Sequence, residues 1–178
     1  MSLSVEQFLS LSDAEQLQTI KDLNDIGQEE IIIDVLTDAG IDNLSVPLLG
    51  ELGRAYNNND KPEEAVKVFK TIDKEHRDAV WYYRCAYSHG SIASTNHEAY
   101  TSENMQQMLA LVDSGVQLAT NEDRNDIKEY CFEVMDMCRL QMDFEKCEVD
   151  YPDLCLNYSK YIACLLYTSP SPRDGATS

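Results

Sequence analysis

Leu52-Gly53-Arg54-Ala55-Tyr56-Asn57-Asn58-Asn59-Asp60-Lys61-Pro62-Glu63-Glu64-Ala65-Val66-Lys67-Val68-Phe69 reads as two short helices and the turn that joins them. Leu52, Ala55 and Tyr56 continue an apolar stripe begun by Leu48 and Leu49, and Ala65, Val68, Phe69 and Ile72 form a second one. Asn57-Asn58-Asn59 breaks the first helix, because Asn competes for backbone hydrogen bonds and favours turns. Asp60-Lys61-Pro62-Glu63 has the form of a capping box, with a proline in the first turn where its missing N–H costs nothing. The same signature recurs upstream. Gln28-Glu29-Glu30-Ile31-Ile32-Ile33-Asp34-Val35 superposes on Pro62 to Phe69 at an offset of 34 residues, the length of one helix-turn-helix unit. A repeat of that size predicts stacked antiparallel helical hairpins.

Working outward, Ser12-Asp13-Ala14-Glu15 opens a helix with a capping box, and Leu17, Ile20 and Leu23 carry its face to about Asp25. Gly27 permits the tight reversal, and Glu29 to Asp38 is the return helix, closed by Gly40. Ser45 caps the next helix, with Pro47 in its first turn. A third hairpin is expected from Asp78, with Trp81, Tyr82, Cys85 and Ala86 on its first helix. Gly90 to Thr101 reads as a long polar loop, roughly nine residues over a standard repeat. Ser102 then caps a helix carrying Met105, Met108, Leu109, Val112, Val116 and Ala119. Asn121 reads as the cap of a helix striped by Ile127, Tyr130, Cys131, Val134 and Met135, and Asp150-Tyr151-Pro152 as the start of a last one.

Leu52-Gly53-x-Ala55-Tyr56, followed by Ala65 and Phe69, resembles the tetratricopeptide repeat at its Leu, Gly, Tyr, Ala and Phe positions. Trp81 stands where the next repeat expects a large residue. The resemblance is to bacterial proteins of this type and covers Asp13 to about Ala119. It implies an all-α fold, a right-handed superhelix of hairpins at 12–39, 45–73 and 78–119, with 120–163 as capping or degenerate repeat helices. Gly53 and Ala65 would let paired helices approach closely, while Tyr56 and Phe69 would fill the space between hairpins.

What the resemblance implies for function is a non-enzymatic protein-interaction module, an adaptor or scaffold holding a peptide in its concave groove. The groove-facing positions of the repeat fall on Arg54, Asn57 and Asn58, and on Tyr83 and Tyr87. Amide side chains suit a peptide backbone, and tyrosines give contact area at small entropic cost. Tyr83 and Tyr87 are equally open to a place in the core between repeats. Gly50 stands where some family members have a lysine that grips a C-terminal carboxylate, so that clamp is not reproduced. Two further readings remain: an N-terminal regulatory or targeting arm of a larger protein, and an oligomerisation domain, although a monomer is expected.

Thirty-two acidic residues stand against 14 basic ones, a formal net charge of −18. Such a chain repels phosphate backbones, which argues against nucleic acid and anionic membrane as partners. The charge fits either a basic partner or a plainly well-solvated exterior. No apolar stretch is long enough to span a bilayer, and Met1 to Leu11 lacks the features of a signal peptide, which makes the cytoplasm the expected location. No phosphate-binding loop, nucleophile elbow or metalloprotease motif is present in the sequence. Cys85 and His89, four apart on one helix, are the remote alternative as a hydrolase pair. Cys85, Cys131, Cys138, Cys147 and Cys155 lack the close Cys-x-x-Cys spacing of zinc or redox sites and read as buried small hydrophobes. No cofactor or metal is expected.

The last segment reads differently. Cys164-Leu165-Leu166-Tyr167-Thr168-Ser169-Pro170-Ser171-Pro172-Arg173-Asp174 is identical to one translated frame of a common transposase-type sequencing adapter. Residues 164–178 are therefore expected to be an adapter-derived, disordered tail, and any native sequence beyond Ala163 to be missing.

Overall fold

The structure, a computed structural model, describes residues 3–168. Ten α-helices and two 3-10 turns, at 41–43 and 74–76, make up these residues, with no strand among them. None of the helices is long and apolar enough to cross a membrane.

A five-residue helix, α1 (Val5–Leu9), comes first and was not legible from periodicity. Ser4 and Gln7 cap it reciprocally, and it exists to seat Phe8, which is fully buried. The expected hairpins follow: α2 (Asp13–Asp25) with α3 (Glu29–Ala39), then α4 (Val46–Asn58) with α5 (Pro62–Lys70). The capping box of α2 forms as read, with Glu15 accepting from the N–H and hydroxyl of Ser12 at 2.9 and 2.6 Å.

The third hairpin departs from expectation. The helix α6 (Ala79–Thr95) runs straight through the stretch read as a loop, and α7 (Glu103–Asn121) follows after only seven residues, 96–102. Gly90-Ser91-Ile92-Ala93-Ser94-Thr95 is poor in helix formers, yet it has somewhere to pack. Gly90 lies against Met108, Val134 and Met137, and Ile92 and Ala93 are buried. Tertiary packing overrides weak local propensity here. The extra length of this repeat is therefore helix. Three further helices close the described chain: α8 (Asn125–Met137), α9 (Phe144–Asp150) and α10 (Pro152–Thr168). Asn121 ends α7 and does not cap α8, whose cap is Arg124. The helix α10 continues from Ala163 through Thr168, so the first residues of the adapter-like segment are helical, with Leu166 and Tyr167 74% and 91% exposed. Residues 169–178 of that segment lie outside the described residues.

One turn geometry recurs four times. Gly27, Asp60, His97 and Asp123 take positive φ angles of 71°, 53°, 50° and 55° just past the ends of α2, α4, α6 and α7. In each case the next residue's N–H reaches back to the carbonyl five residues earlier: Gln28 to Leu23, Lys61 to Tyr56, Glu98 to Ala93 and Arg124 to Ala119, at 2.8–2.9 Å. This is the Schellman closure of a helix. Asp60, expected to cap α5, is instead the left-handed residue that closes α4, and Lys61 precedes α5 without a side-chain cap.

From α2 to α8 each helix packs on the next, α1 packs on α3 and α9 on α10, and α2, α4, α6 and α8 also pack in succession, α2 on α4, α4 on α6 and α6 on α8. Two apolar cores result. One gathers Phe8, Ile20, Ile32, Leu36, Leu52 and Phe69 and ends on Trp81 and Cys85 of α6. The other begins on Ala79, Ala86 and Ala93 of the same helix and runs through α7 and α8 to Leu154 and Tyr158. At the α4–α5 crossing, the backbone of Gly53 lies directly against the Phe69 ring, and an added Cβ would meet three ring carbons.

Two outcomes test this packing. Replacing Gly53 with Leu should lower stability by about 3 kcal/mol, because the Phe69 ring has no room to yield in a filled core. Asp60→Gly should raise stability by about 1 kcal/mol, since glycine takes a left-handed conformation without steric cost. Both are read from urea-unfolding midpoints monitored by circular dichroism.

Candidate functional site

Glu51 brings α2, α4 and α6 together. Its residue is only 5% exposed, so its carboxylate must be satisfied from within. Arg84 of α6 donates to Glu51 Oε1 from both terminal nitrogens at 3.1 Å, and Nη1 also reaches the carbonyl of Gly50 at 3.0 Å. From α2, Asn24 Nδ2 donates to Glu51 Oε2 at 2.9 Å and to the Glu51 carbonyl at 3.2 Å. Arg54 bridges outward, 3.5 Å from Glu51 Oε2 and 2.9 Å from Asp25 Oδ1.

The amide contact repeats one hairpin later. Asn57 Nδ2 donates to the Arg84 carbonyl at 3.0 Å, 27 residues ahead, as Asn24 does to the Glu51 carbonyl 27 residues ahead. Asn57 Oδ1 also accepts from the Ser88 hydroxyl at 2.8 Å. Ala55 stands at the position equivalent to Ser88, 31 residues past the asparagine in each case. Without a hydroxyl there, Asn24 Oδ1 is buried with no partner. Two asparagines thus join successive first helices in the same way, and only the second bond set is complete.

The side chains projected onto a groove converge. Arg54, Asn57, Asn58, Tyr83 and Tyr87 all line one cleft of about 440 Å³, together with Arg84 and with Arg124, Asp126, Ile127 and Tyr130 from the start of α8. A second depression of about 420 Å³ shares Arg54, Val80 and Arg84 with it and extends the surface toward Lys21, Pro47 and Trp81. Their situations differ. Asn58 is exposed, whereas Asn57 is buried at the cleft floor with its amide spent on α6. Tyr83 and Tyr87 are half-buried: they line the cleft and also pack on the second core. The Tyr83 ring lies 5.2 Å from that of Tyr130, and burial pushes its hydroxyl above the usual tyrosine range. Arg124 holds Asp126 through two bonds of 2.9 and 2.8 Å, which depress that carboxyl to about 2.

The repeat-signature side chains take packing roles. Leu52, Ala65 and Phe69 are fully buried, Tyr56 is half-buried, and Trp81 donates its indole N–H to the Phe69 carbonyl at 3.1 Å. Among the described residues no hydrogen bond joins Cys85 to His89, the remote hydrolase pair. Burial raises the Cys85 thiol to about 12, which disfavours the thiolate, while His89 Nδ1 is 2.9 Å from Asn104 Oδ1 and burial lowers its pKa. Asp73, Glu75 and His76 bring ligand atoms within 4.8 Å of one another, all on exposed side chains.

The cleft contributions of Arg84, Arg124 and Tyr130 escaped the sequence reading. Arg84 follows Gly50 by 34 residues, so the repeat offset was the available signal for it. Tyr130 was legible only as part of the apolar stripe of α8. The charge of the cleft is the reverse of the whole chain: three arginines and one carboxylate line it, in a molecule of net charge −18.

Completing the first asparagine's bonds gives a direct check on the 27-residue pattern. Ala55→Ser should place a hydroxyl on Asn24 Oδ1 and raise stability by about 1 kcal/mol, while Ser88→Ala should lower it by a similar amount. Chemical unfolding of the two variants beside the parent chain measures both.

Compared with protein-family models, curated proteins and solved structures, the chain matches none of them. The roles of these residues therefore rest on their own geometry.

Proposed function

We propose that the chain is a non-enzymatic interaction module of tetratricopeptide type, in which α2, α4, α6 and α8 line a groove that holds a segment of a partner protein. One observation carries the reading: five residues chosen for their repeat positions converge on a single cleft. The lining suits a peptide. Asn58 can pair with a backbone amide, Tyr83, Tyr87 and Tyr130 offer rigid aromatic area, and Val80 and Ile127 supply an apolar floor. Asn57 contributes shape and holds α4 to α6. Its own hydrogen-bonding groups are already occupied.

The expectation of a basic partner changes at this site. Arg54 and Arg124 are partly exposed and paired with exposed aspartates, contacts worth little in water, so their guanidinium groups are free to exchange partners. A neutral or mildly acidic segment suits that lining better than a basic one. A soluble cytoplasmic adaptor acting as a monomer is the simplest setting for this role.

The test is selection of peptides from a random phage-displayed library on the immobilised chain, followed by fluorescence anisotropy with the enriched sequences. Tyr87→Ala and Arg124→Ala should each weaken binding by about tenfold, while Lys67→Ala on the outward side of α5 leaves it unchanged. Circular dichroism spectra should match the parent's throughout. Failure to enrich any peptide, or binding indifferent to both cleft substitutions, would overturn the assignment.

A further inference from the structure

We propose that Cys147 and Cys155 are a disulfide-forming pair, a covalent staple between α9 and α10. Their Sγ atoms stand 2.7 Å apart, and both residues are buried. The sequence reading gave them no such role, because seven residues and a helix break at Tyr151 separate them. The break itself creates the pairing: α9 ends, the chain reverses, and the first turn of α10 returns Cys155 onto Cys147. The remaining buried cysteines are placed otherwise. Cys138 donates to the Gly90 carbonyl at 3.3 Å, Cys131 lies beneath Gly115, and Cys85 belongs to the other core.

The chemistry is thiol–disulfide exchange with a small disulfide such as glutathione disulfide as oxidant. One cysteine thiolate attacks a sulfur of the reagent, forming a mixed disulfide and releasing one reagent thiolate. The second cysteine thiolate then attacks the protein sulfur of that mixed disulfide, forming the Cys147–Cys155 bond and releasing the second. The protein loses two protons and two electrons, and the reagent leaves as two thiols. Burial holds both thiols above their usual pKa, so exchange proceeds as the hairpin folds or opens, and the finished bond is shielded from reductant.

The staple would matter where it sits. The helix α9 is seven residues long, shorter than an isolated helix can sustain, and its packing is chiefly against α10. Without the bond it is held by Tyr100 donating to Asp150 at 3.0 Å and by the stacking of Phe144 on Tyr158 at 6.0 Å. In a reducing cytosol the thiols stay apart, so the bond would register an oxidising shift by fixing this hairpin.

The full chain is refolded with glutathione and glutathione disulfide, denatured, alkylated with iodoacetamide and cut after acidic residues, which separates Cys147 from Cys155 at Glu148, Asp150 and Asp153. The expected result is one joined pair of unalkylated peptides carrying these two cysteines, separating on reduction. Alkylation of both, or joining of either to another cysteine, would overturn the proposal. In thermal unfolding the oxidised parent should melt at a higher temperature than the reduced one, and Cys147→Ala/Cys155→Ala should melt alike in both buffers. An equal redox shift in parent and double variant would refute the staple. Peptide mapping of the parent decides the case even where the double variant fails to fold.

Discussion

A carboxylate with almost no access to water sits where three helices meet, and the packing around it is organised by the need to satisfy it. Glu51 is held by Arg84 from α6 and by Asn24 from α2, and Arg54 leans on it from its own helix. Each of those groups is useless to Glu51 unless α2, α4 and α6 lie side by side in one register. Apolar contacts alone would tolerate a slide of one helix past the next, since leucines and valines repack at small cost. A buried charge does not tolerate it, because removing one partner leaves an ion in a poor solvent. The ion pair is therefore better understood as fixing alignment than as a source of net stability.

The asparagines extend the same logic. Asn24 and Asn57 each tie a first helix to the backbone of the next, with the same 27-residue reach. A side-chain amide bonded to a helical carbonyl is a geometric ruler, sensitive to both rotation and translation of its neighbour. Two rulers in series set the spacing of α2, α4 and α6, and with it the distance between Arg54, Asn58 and Tyr87 across the cleft. The missing hydroxyl at Ala55 shows that the two steps are copies with unequal completion. Stability and site geometry thus share their residues: Asn57 cannot both hold α6 and offer its amide to a ligand.

Helix boundaries were legible where local chemistry decides them. Ser12 with Glu15, Pro47 behind Ser45 and Gly27 at a turn are short-range signals, and each acts as read. The end of α6 was not legible, because Gly90 to Thr95 has the composition of a loop and becomes helix only against Met108, Val134 and Met137. Asp60 was misread for a related reason. Aspartate caps a following helix more often than it adopts a left-handed turn, and only the closed hydrogen bonds reveal which it does. The five positions read as groove-facing line one cleft because spacing along a helix fixes direction. The partners of Glu51 were not legible, since 32 acidic side chains conceal the one that is buried among the described residues.

The length of α6 has a consequence for the cleft. A helix of 17 residues, against 13 in α4, reaches beyond the first core and backs a second one along its other face. It presents Trp81 and Cys85 to the α1–α5 side and Ala79, Ala86 and Ala93 to α7 and α8. Small residues on the second side let α7 and α8 approach closely, and Gly115 on α7 meets Tyr82 and Cys131 at 3.2 and 3.1 Å from an added Cβ. That close approach carries the start of α8 up to the cleft, where Arg124 and Tyr130 stand beside Tyr83 and Tyr87. A shorter α6 would leave these tyrosines on an open helix face. The residues inserted into the third hairpin therefore act at a distance from where they are added: they lengthen the surface on which α8 docks, and α8 supplies the cleft's third wall beside α4 and α6.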